Sequence, residues 1–170
     1  MRLSKLIRAN LDMSCRLDVS LAEELDFVKQ YVEVERPLVD GNFEFKLDVA
    51  PDINLGKVHV PSMFVQILVE NALVHGLRGW EGCKRLQVKI ERRQEGMTSI
   101  SVIDNGPGFD IRSAGRKRTG LTVLSQTIAM INERNRSKMS FFIHNLHDDG
   151  GKVLGCEAGF LVPDKMKLSI

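Results

Sequence analysis

The sequence predicts an α/β (α+β) two-layer sandwich, with helices covering one face of a mixed, mostly antiparallel sheet and a helical extension at the N-terminus. Three observations carry this reading. Two stretches have apolar residues at helical spacing: Leu21, Leu25, Val28 and Val32 in one, Leu121, Leu124, Ile128 and Ile131 in the other. Others alternate apolar with polar residues, as Phe43, Phe45, Leu47 and Val49 do, which is the period of a half-buried strand. The two kinds of segment interleave along 170 residues that are 43% apolar, enough to bury one good core. The expected division is a helical segment over residues 1–37 and an α/β body over 38–170.

Each element has its own justification. Leu3, Leu6, Ile7 and Leu11 mark a short amphipathic helix whose apolar stripe needs another helix or a partner chain to cover it. Ser20-Leu21-Ala22-Glu23 is a capping box that opens a second helix, which stops near Pro37. After the strand at Phe43 to Val49, a short Val58 to Val60 segment leads into an apolar helix, framed by Pro61 at its start and Gly76 at its end. In that helix Phe64, Ile67, Leu68 and Leu73 have the spacing of a buried face. Leu86, Val88 and Ile90, then Ile100, Val102 and Ile103, form two strands joined as a hairpin near Gln94-Glu95-Gly96. The helix of Leu121 follows, and strands near Met139 to Ile143 and Lys152 to Cys156 close the chain. Between them, Asp148-Asp149-Gly150-Gly151 reads as a hairpin turn, because it lacks the further oxygen ligands of a calcium loop.

Composition narrows the function classes. A net charge of +2 gives no electrostatic case for nucleic acid. Three cysteines without pairwise spacing point to a reducing compartment and to no zinc site. No apolar run is long enough for a signal peptide or a bilayer span, so no direct membrane contact by this chain is expected. Asn135-Arg136-Ser137 fits a glycosylation sequon that a cytosolic chain would not use, and there are no repeats or low-complexity linkers.

Two constellations carry chemistry. Ser101-Val102-Ile103-Asp104-Asn105-Gly106-Pro107-Gly108-Phe109 ends a strand in a carboxylate and then frees the backbone with glycines. An Asp there can accept a hydrogen bond from an exocyclic amino group, while Gly106 and Gly108 let the chain lie close against a flat ring. An ordinary tight turn has the same wording. Upstream, Glu70, Asn71 and His75 interrupt the apolar helix. Asn71 and His75 stand four apart and share a face, where an amide oxygen can meet a hydrated cation and an imidazole can meet phosphate. Either could instead satisfy a hydrogen bond in the core.

Together and in this order, the two constellations resemble the GHKL superfamily of ATP-binding domains, and the Val69-Glu70-Asn71-Ala72-Leu73-Val74-His75-Gly76 stretch is similar to the LytS/YehU-type sensor histidine kinases within it. The resemblance runs from about Leu17 to the final strands. It implies the Bergerat-type ATP-binding fold, with ATP and Mg²⁺ as cofactors. It implies that Asn71 carries the magnesium bound to the phosphates, that Asp104 holds the adenine amino group, and that Glu70 and His75 act beside them. Gly106 and Gly108 match the first glycine box, and Thr119-Gly120-Leu121 is similar to the end of the second, at the start of a helix beyond a lid. The implied function is transfer of the ATP γ-phosphoryl to a His on a dimerisation hairpin of the same homodimeric kinase, followed by relay to a response regulator. The implied setting is the cytoplasmic part of an inner-membrane sensor.

The chain departs from the family pattern in three places. Val74 stands where relatives usually have Lys or Arg before the His. Arg116 and Arg118 occupy the first two Gly positions of the second glycine box, and Val123 that of its Asn. With Arg112 and Lys117, these arginines can supply charge-assisted phosphate contacts or form a solvated basic loop. Finally, no His precedes His59; His59, His75, His144 and His147 all fall in the nucleotide domain. The chain is therefore expected to be a catalytic fragment that carries the tail of the dimerisation hairpin and lacks the phospho-acceptor His. Two alternatives stay open. One is a GHKL ATPase, although the position one turn before Asn71, where such enzymes place a carboxylate, is Ile67. The other is an ATP-binding module without phosphotransfer.

Overall fold

The strand and helix periods find their places as soon as the chain is folded. The computed structural model describes residues 15–39, 41–94, 96–109, 119–164, 166 and 168. The expected helix at Leu3 to Leu11 lies outside them, as do Arg112, Arg116, Lys117 and Arg118.

A short strand that the sequence did not announce, β1 (Asp18–Ser20), leads into α1 (Leu21–Glu35). The capping box forms as expected: the Glu23 N–H donates to Ser20 Oγ at 3.3 Å and the Ser20 N–H donates to Glu23 Oε2 at 2.9 Å. Hydrogen bonds from Arg16 and from the Ser20 hydroxyl and N–H hold the Glu23 carboxyl down at about 2. Helix α1 gives way to a 3-10 turn over Arg36–Leu38, where Pro37 can no longer supply an N–H. Then come β2 (Phe43–Val49), β3 (His59–Pro61), α2 (Phe64–Asn71) with a π-helical continuation over Ala72–Leu77, β4 (Lys84–Gln94), β5 (Met97–Asp104), α3 (Thr119–Glu133), β6 (Ser140–His147) and β7 (Val153–Pro163).

Strands β2-β4-β5-β7-β6 lie side by side in that order, β2 parallel to β4 and every other neighbour antiparallel, while β1 pairs antiparallel with β3 in a separate two-stranded sheet. Alternation sends Val88, Ile90, Ile100, Val102, Phe160 and Val162 to one face, where they are buried against the helices. Phe64 of α2 meets Phe160 edge-on, with ring centroids 5.6 Å apart. The other face carries ion pairs such as Lys89 with Glu91 and His144 with Glu157. The helical stripes Leu21, Leu25, Val28, Val32 and Leu121, Leu124, Ile128, Ile131 are all in the core. Helix α1, on the N-terminal side of residue 37, thus shares one core with the sheet. No helix among the described residues is long and apolar enough to cross a membrane.

Four boundaries need correction. Pro61 ends β3 instead of opening the helix, which starts at Phe64 after Met63 in the left-handed conformation (φ 68°). Gly76 lies inside the π-helical run and not at a helix end. Strand β7 extends to Pro163, well beyond Cys156, and β6 to His147, because both continue to find ladder partners. The turn between them is as expected: Asp148 Oδ1 accepts from the N–H groups of Gly150 and Lys152, both at 2.9 Å.

Candidate functional site

One cavity gathers the chemistry. It lies between the end of α2, its π-helical continuation, the C-terminal end of β5 and the first turn of α3, and among its walls are Asn71, His75, Gly76, Asp104, Gly108, Phe109 and Leu121. Alternation along β5 puts Asp104 on the same face as Ile100 and Val102, so its carboxylate is delivered at the floor of the helix-covered layer and is only 6% exposed. Asp104 Oδ1 accepts from the Gly106 N–H at 2.9 Å, which orients the carboxylate and bends the chain out of the strand.

Two glycines allow this approach. A Cβ on Gly76 would sit 2.8 Å from the Asp104 carboxylate, and one on Gly106 would sit 2.0 Å from the Gly76 carbonyl oxygen. The helix and the loop therefore touch backbone to backbone beside the acid. The π-helical turn makes the meeting possible, since one extra residue per turn rotates His75 and Gly76 relative to an α-helical path. Its i−5 bonding is visible where the Arg78 N–H donates to the Leu73 carbonyl at 2.9 Å.

Asn71 is half-buried on the cavity wall, and its Nδ2 donates to the Ile67 carbonyl at 2.7 Å. A carbonyl can only be met by the amide's NH₂ end, so this bond fixes the carboxamide with its acceptor oxygen on the other side. His75 lines the same cavity and is exposed at its mouth. Gly120 and Leu121 stand in the first turn of α3, which begins at Thr119; a Cβ on Gly120 would lie 3.6 Å from Asn71 Nδ2. Glu70 is exposed and does not line the cavity. The structure thus brings Asn71, His75, Asp104, Gly106, Gly108, Gly120 and Leu121 together, sets Glu70 apart, and leaves Arg116 and Arg118 outside the described residues.

Sequence reasoning missed several contributors. Gly76 reads in the sequence as a helix end, and nothing there marks its close approach to Asp104. Glu24 is fully buried in α1 and reaches the start of α2, which has no side-chain cap of its own. Its carboxylate accepts from the N–H groups of Met63 at 3.0 Å, Val65 at 2.9 Å and Gln66 at 3.3 Å. Burial raises its pKa to about 7, against the pull of these three bonds. The partners are 39 to 42 residues away, which no local motif encodes.

The donor set suits a nucleotide better than a caged metal. Among the described residues, Asp104, Asn71 and His75 punctuate a lining that is otherwise apolar or glycine, apart from the Cys156 thiol, which is the composition of a ligand site. Among the described residues there is no group of three His, Cys, Asp or Glu side chains able to hold an ion. A single amide oxygen fits a magnesium that arrives on phosphates and keeps its waters.

The fold, a helical layer on a mixed sheet, is shared with histidine kinase catalytic domains of known structure. The nucleotide-free catalytic domain of the histidine kinase ThkA superposes with a TM-score of 0.61 at 16% identity, covering 88% of this chain and 97% of that one. Full-length ShkA in complex with AMPPNP gives 0.60 at 14% identity, over 98% of this chain and 37% of that one. The sequence relatives are sensor histidine kinases of the LytS, YesM and YpdA type. The sensor protein LytS of Staphylococcus saprophyticus is 33% identical over 109 residues, which is 64% of this chain and 18% of that protein. The sensor histidine kinase YpdA of Escherichia coli is 24% identical over 167 residues, 96% of this chain and 28% of that protein. The chain therefore spans about a fifth to about a quarter of the length of such relatives. No family model matches it.

Proposed function

We propose that this chain is the ATP·Mg²⁺-binding catalytic domain of a sensor histidine kinase, which transfers the ATP γ-phosphoryl group to a His on a dimerisation hairpin outside the sequence, for relay to a response regulator. The observation that carries it is the placement of Asp104 and Asn71 in the lining of one cavity, together with Gly76, Gly108 and Leu121. Asp104 accepts the adenine amino group, Asn71 Oδ1 holds the magnesium, and His75 stands at the mouth toward the phosphates. Magnesium bound there neutralises charge on the phosphates; the protein's own part is positioning and electrostatics. The AMPPNP complex of a structural neighbour and the histidine kinase names of the relatives support ATP as the ligand. In the whole protein we place the chain on the cytoplasmic side of an inner-membrane sensor and in a homodimer.

Phosphotransfer in trans tests this. Incubated with labelled ATP alone, the chain should acquire no acid-labile phosphate, because its histidines, His59, His75, His144 and His147, are not presented on a dimerisation helix. Supplying the His-bearing hairpin, fused or as a separate chain, should restore labelling. ATP binding without transfer to the hairpin would favour the second reading, a nucleotide-binding module, which Val74 and the altered second glycine box keep open. Labelling of the isolated chain at one of its own four histidines would overturn the fragment reading.

A further inference from the structure

We propose that Asn145, on β6, is a positioning residue of the nucleotide site: its carboxamide clamps the Gly106–Phe109 loop in the shape that admits a purine against Asp104. The inference rests on the adenine reading of that loop. The clamp is reciprocal. Asn145 Nδ2 donates to the Phe109 carbonyl at 2.9 Å, and the Phe109 N–H donates to Asn145 Oδ1 at 2.5 Å. A primary amide carries the donor and acceptor of a peptide group, so the pair reproduces one rung of a β-ladder between a side chain and the loop backbone.

Its place in the sheet gives the clamp its effect. Asn145 pairs in register with Cys156 of β7, and Cys156 pairs with Asp104 of β5. The three residues form one row across three strands. The loop leaves this row at Asp104 and returns to it at Phe109, so both of its ends are fixed to the same rigid line, and Gly108 and Phe109 between them form a wall of the cavity. Gly108 is matched to the clamp: its φ is +86°, and a Cβ there would sit 2.9 Å from Asn145 Oδ1 and 2.6 Å from Val153 Cγ1. Asp at position 145 would face the Phe109 carbonyl with a second acceptor, and Ala would present nothing.

Asn145→Ala and Asn145→Asp, compared with the unsubstituted chain, test the proposal by three readouts: calorimetric affinity for ATP and ADP, amide exchange at Phe109, and the thermal midpoint. Loss of two hydrogen bonds at the purine end should weaken ATP and ADP by the same factor, about tenfold. Exchange at the Phe109 amide should speed up while the midpoint moves by a few degrees at most. Equal affinity of the variants and the unsubstituted chain, with faster Phe109 exchange, would overturn the positioning role and leave a merely structural clamp. So would an affinity loss that disappears once the unfolded fraction is subtracted. Failure of the unsubstituted chain to bind either nucleotide would overturn the adenine reading itself and this proposal with it, and that outcome is separable because it needs no variant.

Discussion

Alanine in place of Glu24 is expected to lower the stability of the folded chain by about 3 kcal/mol, seen as a drop of roughly 10 °C in the melting midpoint. The N–H groups of Met63, Val65 and Gln66 all end on this carboxylate, in a site with no solvent access at Glu24. Each orphaned buried donor costs roughly 1–3 kcal/mol, and the sum is offset in part because a carboxylate no longer has to be buried. Helix α2 begins at a left-handed Met63 without a cap of its own, so the loss falls on the element that carries Asn71. Gln at this position keeps one acceptor and should lose less.

The same residue makes stability depend on pH, with a definite sign. Its pKa is raised from 4.5 to about 7 on folding, chiefly by burial. Between those values the folded chain holds a proton that the unfolded chain has released, so Glu24's contribution to stability falls as pH rises through that window. Chemical denaturation between pH 4.5 and 7 should show this slope in the native chain and lose it in Glu24→Gln. An unchanged slope would assign the pH dependence to other groups.

The second large effect is on the site. Gly106→Ala puts a Cβ 2.0 Å from the Gly76 carbonyl oxygen and 3.0 Å from Asp104 Oδ1. The nearer obstacle is backbone, which cannot swing aside as a side chain would, so the loop and the π-helical turn must separate. Overpacking of this kind costs about 1–3 kcal/mol of stability. Displacing Asp104 and Gly76 by the order of an ångström should weaken ATP on the order of a hundredfold. Gly56→Ala is the control, since a Cβ there meets only Asn54 Oδ1, at 3.5 Å, in ordinary contact. Nucleotide affinity unchanged by Gly106→Ala would mean that the close approach of the two backbones has no part in the site.

Much of the layer structure was legible because its signals are local and periodic. Ser20 and Glu23 announce α1 within four residues, and the alternation of Leu86, Val88 and Ile90 with polar neighbours fixes which face of β4 is buried. Asp104 was legible for the same reason as the end of a strand before a glycine turn, but an ordinary tight turn has the same wording, and its place in the cavity beside Asn71 comes from the fold. The π-helical turn was not, because Leu73 and Leu77 have spacing equally suited to an α-helix, and one extra residue in a turn leaves no mark on apolar periodicity. Strand β1 is three residues long, too short for any period to show. Glu24 and Asn145 act on backbone groups that lie 36 or more residues away, and such pairings are products of the fold rather than of a local pattern.

Calorimetric titration of the chain with ATP and with GTP, both in the presence of Mg²⁺, tests the central claim most directly. Adenine presents an exocyclic N–H where guanine presents a carbonyl oxygen, and the Asp104 carboxylate can accept only the first. ATP should bind saturably and GTP at least about tenfold more weakly, and Asp104→Asn should lose roughly 1–3 kcal/mol of ATP affinity while remaining folded. No saturable ATP binding, or a folded Asp104→Asn variant that binds ATP as tightly as the native chain, would contradict the account.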